Sequence, residues 1–239
     1  MTNKITFSAQ SEHLFEVAPR PFPAAQALPE WWRSMTPYDV DYDNPEGKKL
    51  IIRNHNSNAT FKKCTPMLDA LTSGYIIPLW SDVLVRQVNG LPEITWRVSY
   101  PVFEAHGSSS RFVEAPAGYN NSVFKYINPW IPRTPKGYSV LFTQPFGYKD
   151  SPFHAIPAVL DSDSPSIEII PPVWVKKDFE GVVEKGTPML QVIPFKRENW
   201  QSEFDFYTKE KLEVERDKNF AATIVNNYVK NHWSKKTYK

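Results

Sequence analysis

Cysteine occurs once, at Cys64, so no disulfide can close within the 239-residue chain and a reducing compartment is the expected setting. No run of 18 apolar residues exists, which excludes a helical membrane span. The opening residues, MTNKITFSAQSEHLFEV, lack the unbroken apolar stretch of a secretory signal. An excess of either charge is missing too. The 28 basic and 26 acidic residues leave a formal net charge of +2, so no long-range field draws in nucleic acid or an acidic substrate. Glycine is scarce and proline abundant, at 9 and 22 residues, where average usage would give roughly 17 and 12. Proline cannot donate to a ladder and collects at strand starts, edges and loops, so the expectation is a β protein with long, stiff connections.

Several site signatures are incomplete. Asp39, Asp41 and Asp43 have the spacing of a calcium loop without its sixth-position Gly or twelfth-position Glu. Gly107-Ser108-Ser109-Ser110 lacks the Gly-Lys-Ser/Thr ending of a phosphate loop. His106 near Ser108 comes without a nucleophile elbow. The five histidines are dispersed and no zinc spacing occurs, so no metal site is expected.

The chain is organised around residues 124–195, where short β-rich runs alternate with Pro, Gly and Asp. Upstream, Asn89-Gly90 predicts a hairpin joining 82–88 to 93–100. Residues 1–20 predict one or two strands, 19–29 an extended proline-rich arm, and Glu30-Trp31-Trp32-Arg33 a short helix whose tryptophans anchor packing. Residues 38–49 read as a surface loop, Ile51-Ile52 as the start of the denser region, 61–64 as a strand, 66–71 as one helical turn and 74–79 as a strand. Residues 200–233 hold no Pro or Gly, and Phe220, Ile224 and Tyr228 mark an apolar helical face. The organisation is therefore an N-terminal arm and packing segment (1–50), a β core (51–198) and a C-terminal helical extension (199–239).

Inside the β stretch stands Asp161-Ser162-Asp163, a tight carboxylate pair. Such a pair works as general base or metal ligand when its environment separates the two pKa values. It is also ordinary turn chemistry, with the carboxylates accepting backbone N–H bonds.

The order of local patterns resembles the dUTPase and dCTP-deaminase superfamily. Ser73-Gly74-Tyr75 is similar to its first motif and Pro135-Lys136-Gly137-Tyr138-Ser139-Val140-Leu141 to the strand before its second. Ala158-Val159-Leu160-Asp161-Ser162-Asp163, followed by Ile167-Glu168-Ile169, is similar to the third. Lys185-Gly186-Thr187-Pro188-Met189-Leu190-Gln191-Val192-Ile193 is similar to the fourth. The resemblance implies a mainly β fold, a dUTPase-like β-clip or distorted β-barrel, usually trimeric. It makes Asp161 and Asp163 the candidate catalytic residues and Tyr75, Gly147 and Gln191 the candidate ligand contacts. The departures fall on the substrate clamp. Ile76 stands at the position of the aspartate that helps hold Mg²⁺, Gln144-Pro145-Phe146-Gly147 replaces the phosphate-binding turn, and Ser164 replaces the tyrosine that packs on the nucleoside. No glycine-rich fifth motif follows Phe195. A triphosphate needs Arg, a metal or a backbone nest to offset its charge.

Glu30-Trp31-Trp32, Lys63-Cys64-Thr65-Pro66, Asn128-Pro129-Trp130 and Val192-Ile193-Pro194-Phe195-Lys196-Arg197 also resemble a phage and bacterial family with no assigned activity. Together the resemblances imply a catalytically silent dUTPase-like phage protein acting by assembly or binding. It would be a virion component or an accessory protein, cytoplasmic in the infected host or virion-associated. Its partners would be further copies in a homotrimer and other phage proteins, without membrane or nucleic acid and without a cofactor. The alternative is a nucleotide-like small-molecule binder or hydrolase that uses Asp161 and, under that reading alone, Mg²⁺.

Overall fold

The computed structural model of the chain describes residues 3–37, 60–107, 113–164, 168–224, 229 and 233–239. Two compact units divide the chain: Met1–Glu30 with Ala70–Arg197 and Tyr238–Lys239, and Trp31–Asp69 with Glu198–Thr237. The chain begins with β1 (Thr6–Ala9), α1 (Glu12–Val17), β2 (Phe22–Pro23), a 3₁₀ turn at Ala24–Ala27 and α2 (Glu30–Ser34). A second 3₁₀ turn at Phe61–Lys63 leads to α3 (Thr65–Thr72), β3 (Tyr75–Pro78), β4 (Val83–Val88), β5 (Leu91–Trp96) and β6 (Phe103–Ala105). Then come β7 (Tyr119–Tyr126), β8 (Trp130–Arg133), β9 (Tyr138–Thr143), β10 (Phe153–Ala155) and β11 (Ala158–Leu160). The series ends with β12 (Pro172–Lys176), β13 (Gly181–Val183), β14 (Pro188–Lys196) and α4 (Lys209–Ile224). The fold is mainly β, as the proline and turn pattern predicts. No helix among the described residues is long and apolar enough to cross a membrane.

All these strands lie in the first unit, in four antiparallel sheets ordered β1-β8, β10-β12-β7-β6, β11-β9-β14-β3-β2 and β13-β4-β5. One apolar core joins them. Phe103, Tyr126, Phe153, Val173 and Val175 pack in it with Ile77, Leu79, Val83, Val85, Val140, Leu190 and Val192. The Tyr126 hydroxyl, fully buried, donates to Pro78 O at 2.9 Å, so the one polar atom of that ring is satisfied. Asn128 is also buried. Its side chain brackets Trp130, accepting from Trp130 N at 3.1 Å and donating to Trp130 O, which explains a polar residue before this core tryptophan.

β14 is the middle strand of the largest sheet and is buried from Met189 to Val192. Pro194 is tolerated within it because the pairing with β3 ends at Val192, leaving only β9 alongside. Gly74 sits against the same strand. With φ +71, a Cβ there would meet Val192 O at 2.0 Å, so only glycine allows the close approach. The predicted hairpin forms as β4–β5, with Asn89 (φ 53) and Gly90 (φ 75) both in the left-handed region that its two-residue turn demands.

Several elements differ from expectation. Of the one or two strands expected in residues 1–20 one forms, and a helix follows it: Ser11 caps α1 by accepting from Leu14 N at 3.2 Å, and Glu12 lies in its first turn. The 19–29 arm is not extended throughout: Phe22 and Pro23 pair with Ile76 and Tyr75, and Ala24–Ala27 form a 3₁₀ turn with Ala24 buried. Residues 61–63 form a 3₁₀ turn where a strand was expected, capped by Thr60 Oγ1 accepting from Lys62 N at 3.3 Å. The helical turn expected at 66–71 is the eight-residue α3. The readings of 38–49, Ile51-Ile52, the Asp39-Asp41-Asp43 loop, Ser108-Ser109-Ser110 and Ile167 lie outside the described residues.

The Glu30-Trp31-Trp32-Arg33 helix forms as predicted, with Trp31 onward in the second unit. Trp32 is buried and meets Trp31 edge-on at 5.8 Å, while the Lys62 ammonium stands 5.4 Å over the Trp32 ring and donates to Trp32 O at 2.6 Å. Asp69 accepts from Trp233 Nε1 at 3.0 Å and pairs with Lys236. Residues 200–208, expected to be helical, are not; α4 starts after Thr208, whose hydroxyl and carbonyl accept from Lys211 N and Leu212 N. Aromatic residues have modest helix propensity, and Thr208 supplies the cap where α4 begins.

Candidate functional site

The carboxylate pair sits in the turn after β11, against the end of β14. Asp163 receives both arms of the Arg197 guanidinium: Nη1 donates to Oδ1 at 3.1 Å and Nη2 to Oδ2. Gly137 N adds a bond to Asp163 Oδ2 at 2.8 Å. A forked arginine and a backbone donor both favour the charged form. They hold the Asp163 carboxyl down at about 2, with the Arg197 hydrogen bonds the leading cause. The same contact raises the Arg197 guanidinium above its usual value.

Asp161 is engaged on one oxygen. Its Oδ1 accepts from Ser139 Oγ at 2.7 Å and lies 3.1 Å from Arg197 Nη1. Arg197 Nη1 also donates to Ser139 Oγ and to Tyr138 O, each at 3.0 Å. Ser162, buried between the two acids, shares a hydrogen bond with Thr134 Oγ1 at 2.7 Å, and its carbonyl accepts from Thr134 N at 3.2 Å. The cluster therefore ties the β8–β9 turn, the β11 turn and the residue after β14 into one polar clip.

This arrangement makes poor acid–base machinery. A general base at neutral pH needs a proton affinity near the working pH and a lone pair open to substrate. Asp163 has neither, being 12% exposed and held acidic. Ser139 is fully buried, and the residue beside it is a carboxylate paired with arginine, not a histidine base. Asp161 alone keeps an open side chain, 63% exposed.

The three candidate ligand contacts lie outside this cluster, and Tyr75 is set apart from the other two. Gln191 is buried in β14 and every part of its amide is used. Nε2 donates to Ala70 O at 2.9 Å and Ser73 O at 2.7 Å, while Oε1 accepts from Phe146 N at 2.9 Å. Gly147 follows in that same turn at φ +84, so the structure brings the Phe146-Gly147 turn and Gln191 together as packing. Tyr75 is opposite Val192, one register step from the Gln191–Ile76 pair, and so belongs to the other face of the sheet. Its ring meets Phe7 at 5.3 Å and Tyr238 at 5.8 Å, and its hydroxyl donates to Lys239 O at 3.2 Å. Burial raises the Tyr75 hydroxyl pKa. Arg197 stands six residues beyond Gln191, about 20 Å in extended chain.

Sequence reasoning missed Arg197 as the partner of the pair. It lies 34 residues after Asp163, and no local spacing signals such a meeting. It also missed the exposed aromatic run before α4: Trp200 is 85%, Phe204 94%, Phe206 81% and Tyr207 66% exposed. An open groove of about 290 Å³ lies at one end of the β13-β4-β5 sheet, lined by Asp82, Leu84, Thr95, Trp96, Arg97 and Val182 among others. Among the described residues no group of three or more His, Cys, Asp or Glu side chains stands within metal-binding reach. Comparison with protein-family models, curated proteins and solved structures gives no match for the chain.

Proposed function

We propose that the chain is a catalytically silent β protein that works by self-assembly. The observation that carries this reading is the run from Trp200 to Tyr207, which holds four large aromatic side chains in water. Four large aromatic side chains exposed within eight residues favour an interaction site. The engaged state of Asp161, Asp163, Ser139 and Gln191 agrees with it, since the polar groups of the candidate site are committed to holding turns and strands together.

The finer identity belongs to the same proposal. Segments similar to the four dUTPase-superfamily motifs lie on β3, β9, β11 and β14, four adjacent strands of one sheet. This supports a β-clip reading, a homotrimer, and a role as a phage virion component or accessory protein, possibilities that rest on the sequence resemblance. The second reading, a nucleotide-like ligand handled by Asp161, draws on the 63% exposure of that side chain.

A thermal-shift panel of nucleotides with and without Mg²⁺ separates the two. A ligand present at 100 times its dissociation constant adds about 2.7 kcal/mol. Silence at millimolar concentration, together with concentration-dependent self-association, is the expected result. A Mg²⁺-dependent nucleotide shift that Asp161→Asn abolishes with the fold intact would overturn the silent-assembly reading.

A further inference from the structure

The aromatic run and the groove carry complementary chemistry. Residues 198–208 contain three acids and no Lys or Arg, with Glu203 and Asp205 flanking Phe204. They are in neither helix nor strand. The groove is lined by Val83, Leu84, Trp96 and Val182 together with Thr95, the Asp82 carboxylate, whose Oδ1 accepts from Lys185 N, and the Arg97 guanidinium. In register, Val182 pairs with Leu84 and Leu84 with Thr95, so these three share one face of the β13-β4-β5 sheet. Val182 is 61% exposed on that face. Arg97, which lines the groove, has no hydrogen-bond or ion-pair partner among the described residues. An arginine beside the half-buried Leu84 and exposed Val182 side chains suits an aromatic ring with a carboxylate next to it in sequence.

We propose that residues 200–207 of one copy dock on the groove of a second copy, with Phe204 on Leu84 and Val182 and with Glu203 or Asp205 on Arg97. This rests on the assembly reading and names its contact. The four aromatic side chains together offer roughly 600–1,000 Å², against about 800 Å² per partner in a standard interface, with Phe204 alone seated in the groove. Because the donor segment and the acceptor groove are different surfaces of one chain, the contact is head-to-tail, and such contacts close into rings when the rotation permits.

The test is a charge swap read by sedimentation velocity on the full chain. Arg97→Glu should weaken self-association by roughly tenfold or more, as should Glu203→Arg with Asp205→Arg. Combining the three should restore it, which a merely structural role for Arg97 would not do. A photo-crosslinking residue in place of Phe204 should join two copies through residues 82–84, 95–97 or 182. If wild type assembles but the swap fails to rescue and the crosslink maps elsewhere, the docking site is wrong while the assembly reading stands. A chain that stays monomeric throughout overturns both.

Discussion

Asp163 and Gln191 hold the fold by different physics, and each makes a prediction of its own. Asp163 takes up its proton near 3.8 in the unfolded chain and near 2 when folded. A depressed carboxylate contributes stability that is present above the unfolded value and lost as pH falls through the folded one. Denaturation curves between about pH 4 and 2 should therefore steepen in wild type and flatten in Asp163→Asn, as followed by circular dichroism; superimposable acid limbs would mean that Arg197 does not hold this carboxylate. His154, whose imidazole burial keeps below 6.5, lowers stability earlier in the descent and is common to both proteins. Gln191→Leu keeps the volume but removes the bonds to Phe146 N, Ala70 O and Ser73 O. A lost bond to a partly buried group costs about 1 kcal/mol, so a loss of about 3 kcal/mol in urea unfolding is expected. A loss below about 1 kcal/mol would mean that these groups find water.

Elements set by local chemistry are the ones that the sequence made legible. Asn89-Gly90 specifies its hairpin because few residue pairs accept two successive positive φ angles. Gly90→Val should cost about 1–2 kcal/mol and loosen β4 and β5 together, visible as faster amide exchange in both strands. Exchange unchanged outside the turn would show that the strands are held by the core alone. The strand-turn pattern of 124–195 was equally readable, since Pro, Gly and Asp punctuate it at each turn. What resisted reading depended on distant partners. Phe61-Lys62-Lys63 finds a Thr60 cap in place of a strand partner, and Arg197 meets Asp163 only because β9 pairs with both β11 and β14. The acidic pair itself was identified, yet its role as a turn clip required the arginine. Thr208 shows the same limit in reverse: its cap starts α4 and leaves 200–208 outside the helix that composition suggested.

At the scale of the whole molecule, the fold engages its candidate catalytic groups in internal contacts and leaves the aromatic side chains of 200–207 exposed. That division favours a protein whose work is association. Sedimentation velocity of the full chain across the micromolar range tests this most directly, with Phe204→Ser and Phe206→Ser together as the control. The account predicts a concentration-dependent multimer, a trimer on the β-clip reading, that the double substitution returns to monomer with its circular dichroism unchanged. A wild-type chain that remains monomeric across the whole range would contradict it.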